Sequence, residues 1–517
     1  MESLITLETV PEEIKWGKVI DQDKCIGCHA CSTACKSEHL VPLSVNRTYV
    51  KQVEVGIFPE VNRHFQINRC NQCEDAPCVP ICPVEAMYKR SDGIVDFDRD
   101  VCIGCKACIA ACPYDAIYIS PESNSAEKCN FCAHRIEQGL EPACVVVCPE
   151  EAIIIGNLND PNSEVSKIVA RDKTSVRKPE KGTNPKVFYK GASDYTLNPS
   201  AARYTAMHLF SEQKEKYPVL EEPFSRQAGK SAAAAIVAYD VPHKAPWDWR
   251  VSAYTWTKSI SAGVFMMFAV ISQAGVSFTM DWKIALTLIA GLFLGLTGAF
   301  LVGDLAHPKR FLRVLTRPQW KSWLTRGAYI ILGYSIILGI NFIGSLTASD
   351  TLLAAIRWPG FILATFTAIY TAFLFSQAKG RDLWQNPLLP LHLFAQAILA
   401  GAGVMLLLNL AFPLPEAAMP WVRWSLFGSL AVHLILVISE MVIPHMTADA
   451  AKAAYHMTFG HFRKFYWTGV IAGTVLPLIL LYVGGLPLLG IGATLALIGL
   501  MAYEHAYVQA GQSVPLS

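Results

Sequence analysis

No cysteine follows Cys148, and no long apolar run precedes Tyr254. The first absence removes thiolate metal sites and disulfides from the rest of the chain. The second makes residues 1–250 read as soluble protein, because a membrane span needs about 20 mostly apolar residues. A bias of charge is missing too. With 44 Lys and Arg against 42 Asp and Glu, nothing draws the chain to nucleic acid, and no such partner is expected. The opening residues, MESLITLETVPEEIKWG, hold neither a basic segment nor an apolar core. Neither a Sec-type nor a twin-arginine export signal is therefore expected, and metal becomes a better reading of the cysteines than a disulfide framework.

What is present is segregated, and 517 residues exceed what one core usually organises. All 16 cysteines lie between Cys25 and Cys148. Cys25, Cys28, Cys31 and Cys35 follow C-x2-C-x2-C-x3-C, and Cys102, Cys105, Cys108 and Cys112 repeat it. Cys70, Cys73, Cys78 and Cys82 widen the middle gap to four residues, and Cys129, Cys132, Cys144 and Cys148 widen it to eleven. In this pattern three close thiolates wrap one cubane while the fourth reaches a second, so four [4Fe–4S] clusters are expected with no ligand left over. Gly27, Ala30, Gly104 and Ala107 are small enough to let the backbone hug them. Zinc is the alternative, although its modules usually pair two C-x2-C knuckles across a longer loop. The stretches IVDFDRDV, AIYI and AIIIG predict the small strands of ferredoxin units. Lys128 and Arg135, around the fourth quartet, would stabilise a reduced cluster or serve as surface charge.

The quartet order, the stretched second and fourth groups and the segment KCNFCAHR resemble the four-cluster electron-transfer subunit of molybdopterin oxidoreductases of the dimethyl sulfoxide reductase family, over about residues 15–157. That resemblance implies that the first quartet shares its clusters with the fourth and the second with the third. It also implies a separate molybdopterin-containing catalytic subunit as partner. Spacing alone leaves pairing of neighbouring quartets open. Residues 158–249 are charged and rich in Pro, Ser and Lys, and read as a linker or docking arm carrying Phe188, Tyr189, Tyr195, Tyr204 and Phe210.

Spans are expected near 257–278, 284–302, 328–346, 359–376, 388–410, 424–443, 466–483 and 486–505, which makes eight helices over residues 250–517. Gly291 and Gly295 offer a small-xxx-small helix contact. Loops on the N-terminal side carry Lys309, Arg310, Arg313, Arg317, Lys321, Arg326, Lys379, Arg381, Lys452, Arg463 and Lys464, against Lys283, Arg357 and Arg423 opposite. The positive-inside rule then puts the cysteine domain on the cytoplasmic side of the inner membrane. The expected fold class is an α+β pair of two-cluster ferredoxin units (1–157) followed by an all-α eight-helix transmembrane bundle.

The segment GDLAHPKRF (303–311) with RGAY (326–329) resembles the eight-helix quinol subunit of polysulfide reductase and its NrfD-like relatives. A quinone or quinol (menaquinone or ubiquinone) is the cofactor this implies, with membrane lipid as the surroundings. Trp249, Tyr254, Trp256 and Lys258 enter the first span while Asp304, His307 and Arg310 leave the second, so both groups share a membrane face and are expected to line the quinone site. His433 and Glu440 share a helical face, and with His392 they are expected to relay protons. No haem is expected, since a cytochrome b type of anchor needs facing histidine pairs. No catalytic residue is assigned, because clusters, linker and spans consume the chain. The expectation is an electron-transfer and membrane-anchor subunit, serving formate or sulfite oxidation ahead of polysulfide or thiosulfate reduction by quinol. An energy-coupling membrane module is the other reading. Iron and acid-labile sulfide should each reach about sixteen per chain; assays near twelve would contradict four cubanes.

Overall fold

The computed structural model describes residues 14–57, 59–204 and 235–517. Most of the segment read for an export signal, and Phe210, lie outside the described residues.

The first domain is built on two small sheets and two ribbons. Its strands are β1 (Trp16–Asp21), β2 (Tyr49–Ile57), β3 (Glu60–Asn68), β4 (Met87–Lys89), β5 (Val95–Phe97), β6 (Ile117–Ile119), β7 (Ala126–Lys128), β8 (Ile153–Asn157), β9 (Thr174–Ser175), β10 (Val187–Lys190), β11 (Arg203–Tyr204) and β12 (Ala235–Tyr239). The sheets run β8-β1-β10-β9 and β11-β12-β2-β3, and the ribbons pair β4 with β5 and β6 with β7. The stretches IVDF, AIYI and AIIIG thus supply β5, β6 and β8. The described parts of residues 158–249, expected as a linker or arm, pair with the cysteine domain: β10 runs parallel to β1, burying Tyr189, and β12 runs antiparallel to β2. Four-residue strands leave little periodic trace, and their partners are over a hundred residues away, so this pairing could not be read locally.

Among the described residues seven helices are long and apolar enough to cross a membrane: Met280–Gly303, Trp323–Leu346, Asp350–Gln377, Leu389–Leu408, Glu416–Val442, Arg463–Val483 and Leu486–Gly511. They coincide with seven of the eight expected spans. The first bundle helix, Trp249–Gln273, is 25 residues long but does not meet that criterion. It is the most enclosed, and its polar side chains Ser252, Thr255, Thr257, Lys258, Ser259 and Ser261 are buried against neighbouring helices. Asp248 caps it, accepting from Arg250 N at 2.8 Å. The close contact expected at Gly291 and Gly295 is corrected. Both point away from the bundle, with nothing within 4 Å of where a Cβ would be. The intimate crossings are Gly263 with Gly401 and Gly473 with Gly499, the latter inside a π-helical turn, Thr468–Val475.

Successive bundle loops meet the cysteine domain. Between the second and third bundle helices Ala306 N donates to Gly104 O, between the fourth and fifth Lys181 pairs with Asp382, and between the sixth and seventh Lys178 pairs with Asp449 at 3.1 Å. After the last helix Arg177 donates to Leu516 O at 2.9 Å and Tyr49 to Ser517 Oγ at 2.8 Å. His243 pins this last contact, touching Asp115, Asp240 and Ser517. Burial would lower the His243 pKa, but Asp240 and Asp115 outweigh it and hold the ring up at about 10. A folded value above the ordinary one near about 6.5 means full stabilisation below that pH, lost as pH rises through the folded value. Docking measured by limited proteolysis should therefore weaken in alkali, and His243→Gln should flatten the profile; an unchanged profile would contradict the assignment.

Candidate electron-transfer site

Two cysteine-bearing turns share one local geometry. Gly27 and Gly104 both have φ +69°, and His29 and Lys106, two residues on, are left-handed at φ 60° and 62°. Each turn leads into a short helix, Ala30–His39 or Ala107–Ala111. Curling the backbone this way aims amides inward. Gly104 N and Ala126 N each lie 3.4 Å from Cys102 Sγ, Ala86 N 3.2 Å from Cys82 Sγ, and Ala152 N 3.2 Å from Cys148 Sγ.

The thiols gather into four groups, each taking three from one quartet and one from another. Cys25, Cys28, Cys31 and Cys148 line one cavity of about 310 Å³, and Cys82, Cys102, Cys105 and Cys108 line another of about 310 Å³. Cys35 lies within electrostatic reach of Cys129 and Cys144, as does Cys132; Cys78 lies likewise near Cys70, Cys73 and Cys112. The groups form a ladder, with Cys31 beside Cys144, Cys129 beside Cys70, and Cys78 beside Cys108. Among the described residues no group of His, Cys, Asp or Glu converges tightly enough to hold a single metal ion. The thiols ring a space instead, which suits a cluster and not zinc.

Electrostatics point the same way. Burial pushes the Cys31 and Cys132 thiols up to about 11 and Cys35 and Cys73 to about 12. Such thiols ionise readily only against a cation, which iron would supply. Cys144 differs: burial would raise it, but Arg69 and Lys18 outweigh burial and hold it at about 7. Arg69 is buried with Nε and Nη2 lacking any partner, donors that the sulfides of a cluster would satisfy. Of the cations expected near the fourth quartet, Arg135 joins His134 on Glu38, while Lys128 is buried and donates to Val95 O and Cys129 O. Arg69 and Lys18 escaped the sequence reading because neither is near the quartet it serves.

The last rung meets the bundle. Trp247 Nε1 donates to Cys105 O at 3.1 Å, and its indole stacks on Phe375 and Trp384 with centroids 6.0 and 5.4 Å away. Asp304 pairs with Lys106 at 2.9 Å, His307 Nε2 meets Ser123 O at 2.6 Å, and Arg310 donates to Arg99 O and Cys102 O, both at 2.9 Å. These three residues, expected to line a quinone site, grip the cysteine domain. The chain turns out of the bundle at Gly303, which carries them past the helix ends. Trp249 is half-exposed against Phe300, and Trp256 donates to Leu497 O at 2.9 Å.

Two buried polar groups lie below. Lys258 Nζ donates to Ala368 O at 2.7 Å and Thr371 Oγ1 at 2.8 Å, beneath Tyr254 and beside the Tyr370 ring. Glu504 is within its electrostatic reach, and Glu504 Oε1 has no hydrogen-bond partner. Beside it, His392 Nε2 meets His433 Nδ1 at 2.7 Å, His392 Nδ1 stands 3.9 Å from Glu440, and Tyr503 donates to Glu440 at 2.7 Å. The three residues of the expected relay are thus together, with Tyr503 and Asn386 added. All of them lie within about three turns of helix ends that face the cysteine domain, at about 1.5 Å per residue.

Residues 240–515 match the family model described as polysulphide reductase, NrfD, which covers more than half of the sequence. The protein belongs to the polysulphide reductase NrfD family. Ahead of the NrfD domain, residues 61–158 match a 4Fe-4S dicluster domain and residues 16–37 a 4Fe-4S binding domain, so an iron–sulfur electron-transfer module is fused to the membrane domain. The relatives match that module. The B subunit of tetrathionate reductase from Salmonella typhimurium is 44% identical over 37% of this chain and 77% of its own length. The B component of polysulfide reductase from Wolinella succinogenes is 45% identical over 34% of this chain and 93% of its own. Protein NrfC of Escherichia coli is 42% identical over 34% and 80%.

In this NrfD protein, docking rests on the loop after Gly303. Replacing His307 and Arg310 together by Ala removes three contacts to cysteine-domain carbonyls, each worth about 0.5–3 kcal/mol. Trypsin should then cut the connection at Lys244 several-fold faster while iron content holds; unchanged cleavage would show that the seam does not depend on this loop.

Proposed function

We propose that the four thiol groups hold four [4Fe–4S] clusters that carry electrons between a separate molybdopterin catalytic subunit and quinone bound in the NrfD bundle. The carrying observation is the ladder itself, which has one end at the surface and the other against the bundle. Bound clusters would supply one-electron carriers; the chain's own residues hold them, shield them and fix their spacing. At the outer end Cys28 is exposed, and Ile26, Val146 and Val147 around it are exposed apolar side chains that suit a partner surface. The reductase names of the relatives favour flow outward from quinol, in preference to oxidation of a cytoplasmic donor such as formate or sulfite.

Eight crossings fit the loops. The chain enters Trp249–Gln273 from the cysteine domain and returns to it after Gly511, which needs an even number of crossings. A sheltered first helix can afford its hydroxyls and Lys258. Basic loops on this side support a cytoplasmic cysteine domain, although Arg310 and Arg313 also serve the seam.

For the quinone, Tyr254 and Lys258 with Glu504 form the site, within about three turns of the helix ends that meet the last rung. Quinone and quinol differ by two electrons and two protons. Lys258 and Thr371 can hold one quinone oxygen, Glu504 can exchange a proton with it, and His392, His433, Glu440 and Tyr503 link that depth to the cysteine-domain side. The ionisable groups cluster on that side of the bundle, which supports proton exchange there over an energy-coupling module spanning the bilayer. Lys258→Met and Glu504→Gln should each lower quinone-linked turnover at least tenfold while leaving dye-linked turnover through the clusters unchanged. Full quinone activity in both variants would place the site elsewhere.

A further inference from the structure

One thiol group is set apart by charge. Arg69 is 1% exposed and donates from Nη1 to Cys144 Sγ at 3.1 Å, with Nε and Nη2 unpartnered. Lys18 is 0% exposed, its Nζ 3.7 Å from the same sulfur and 4.5 Å above the Phe131 ring. Among the described residues neither cation has a carboxylate ion-pair partner. His39 Nε2 adds a contact at 3.1 Å to Cys132 Sγ.

The other groups are held differently. Cys82, Cys102 and Cys148 accept from backbone amides, Lys106, beside Cys105, is engaged by Asp304, and Lys128, the buried cation within electrostatic reach of Cys70 and Cys78, donates to the Val95 and Cys129 carbonyls and to no thiol. A guanidinium keeps its charge in any protein, and burying it without an anion is costly. The anion that fits here is a thiolate-ligated cubane, a dianion when oxidised and a trianion when reduced. Fixed positive charge and N–H donors at its sulfurs favour the reduced form more than the oxidised one, which raises the reduction potential.

We infer that Cys35, Cys129, Cys132 and Cys144 hold the highest-potential cluster of the ladder, and that Arg69, with Lys18, sets that potential. This rests on the four-cluster reading. The second rung from the outer surface then retains an electron while its neighbours are oxidised, next to the cluster that faces the partner subunit. Arg69 is a positioning residue for electrons, acting through the Cys144 sulfur.

The test is an EPR-monitored redox titration of the full chain in membranes, with iron assayed first. Wild-type iron well short of about sixteen would contradict the four-cluster reading itself. With iron in place, one signal should titrate above the other three. Arg69→Gln should lower that midpoint by about 59 mV or more, a tenfold change in the reduced-to-oxidised ratio of a one-electron couple, without moving the others. Arg69→Lys should keep most of it, and Lys18→Gln should lower the same signal. Equal shifts in Arg69→Gln and Arg69→Lys would mark a packing role and overturn the inference, as would unmoved midpoints. If Arg69→Gln loses iron, the Lys18→Gln titration decides: no shift there overturns the inference.

Discussion

The contact between the Ile103–Gly104–Cys105 backbone and the loop after Gly303 governs what the two halves can do together. Electron transfer between carriers falls off steeply with distance, so a ladder of thiol groups is useful to a membrane acceptor only if its last rung is held against the bundle. Ala306 N to Gly104 O at 3.1 Å and His307 N to Ile103 O at 3.2 Å hold it there, backbone to backbone. At Gly104 a Cβ would lie 2.5 Å from Ala306 Cβ. The same glycine therefore admits the cluster on one side and the membrane loop on the other.

Around that seam the protein divides its polar chemistry. Above it, Arg69 and Lys18, buried without a carboxylate ion-pair partner among the described residues, face the Cys144 thiol, as suits an anionic cluster. Below it, acids, histidines and Lys258 sit inside helices otherwise matched to lipid. The strands and loops between 158 and 249, and the segment after Gly511, tie the halves together without joining either chemistry.

Much of this was legible in the sequence for physical reasons. Cysteine spacing marks the four quartets, and seven spans announce themselves by length and hydropathy. A seven-residue interval keeps His433 and Glu440 on one helical face, and His392 stands against both. What spacing could not show depends on how separate elements meet. Asp304, His307 and Arg310 sit at the right membrane face, but the turn at Gly303 directs them to the cysteine domain. Glu504 becomes interesting only once the last helix is seen to pack on the first beside Lys258. Arg69 lies one residue before Cys70 yet serves Cys144, and spacing cannot show that.

Photolabelling of the intact protein with an azido-quinone, followed by peptide mapping, tests the central claim most directly. The account predicts quinol-competed labels in Trp249–Gln273 near Lys258 and in Leu486–Gly511 near Glu504. Labels confined to the opposite end, around Arg357 and Arg423, would contradict it, because no electron leaving the last rung could reach a quinone bound there.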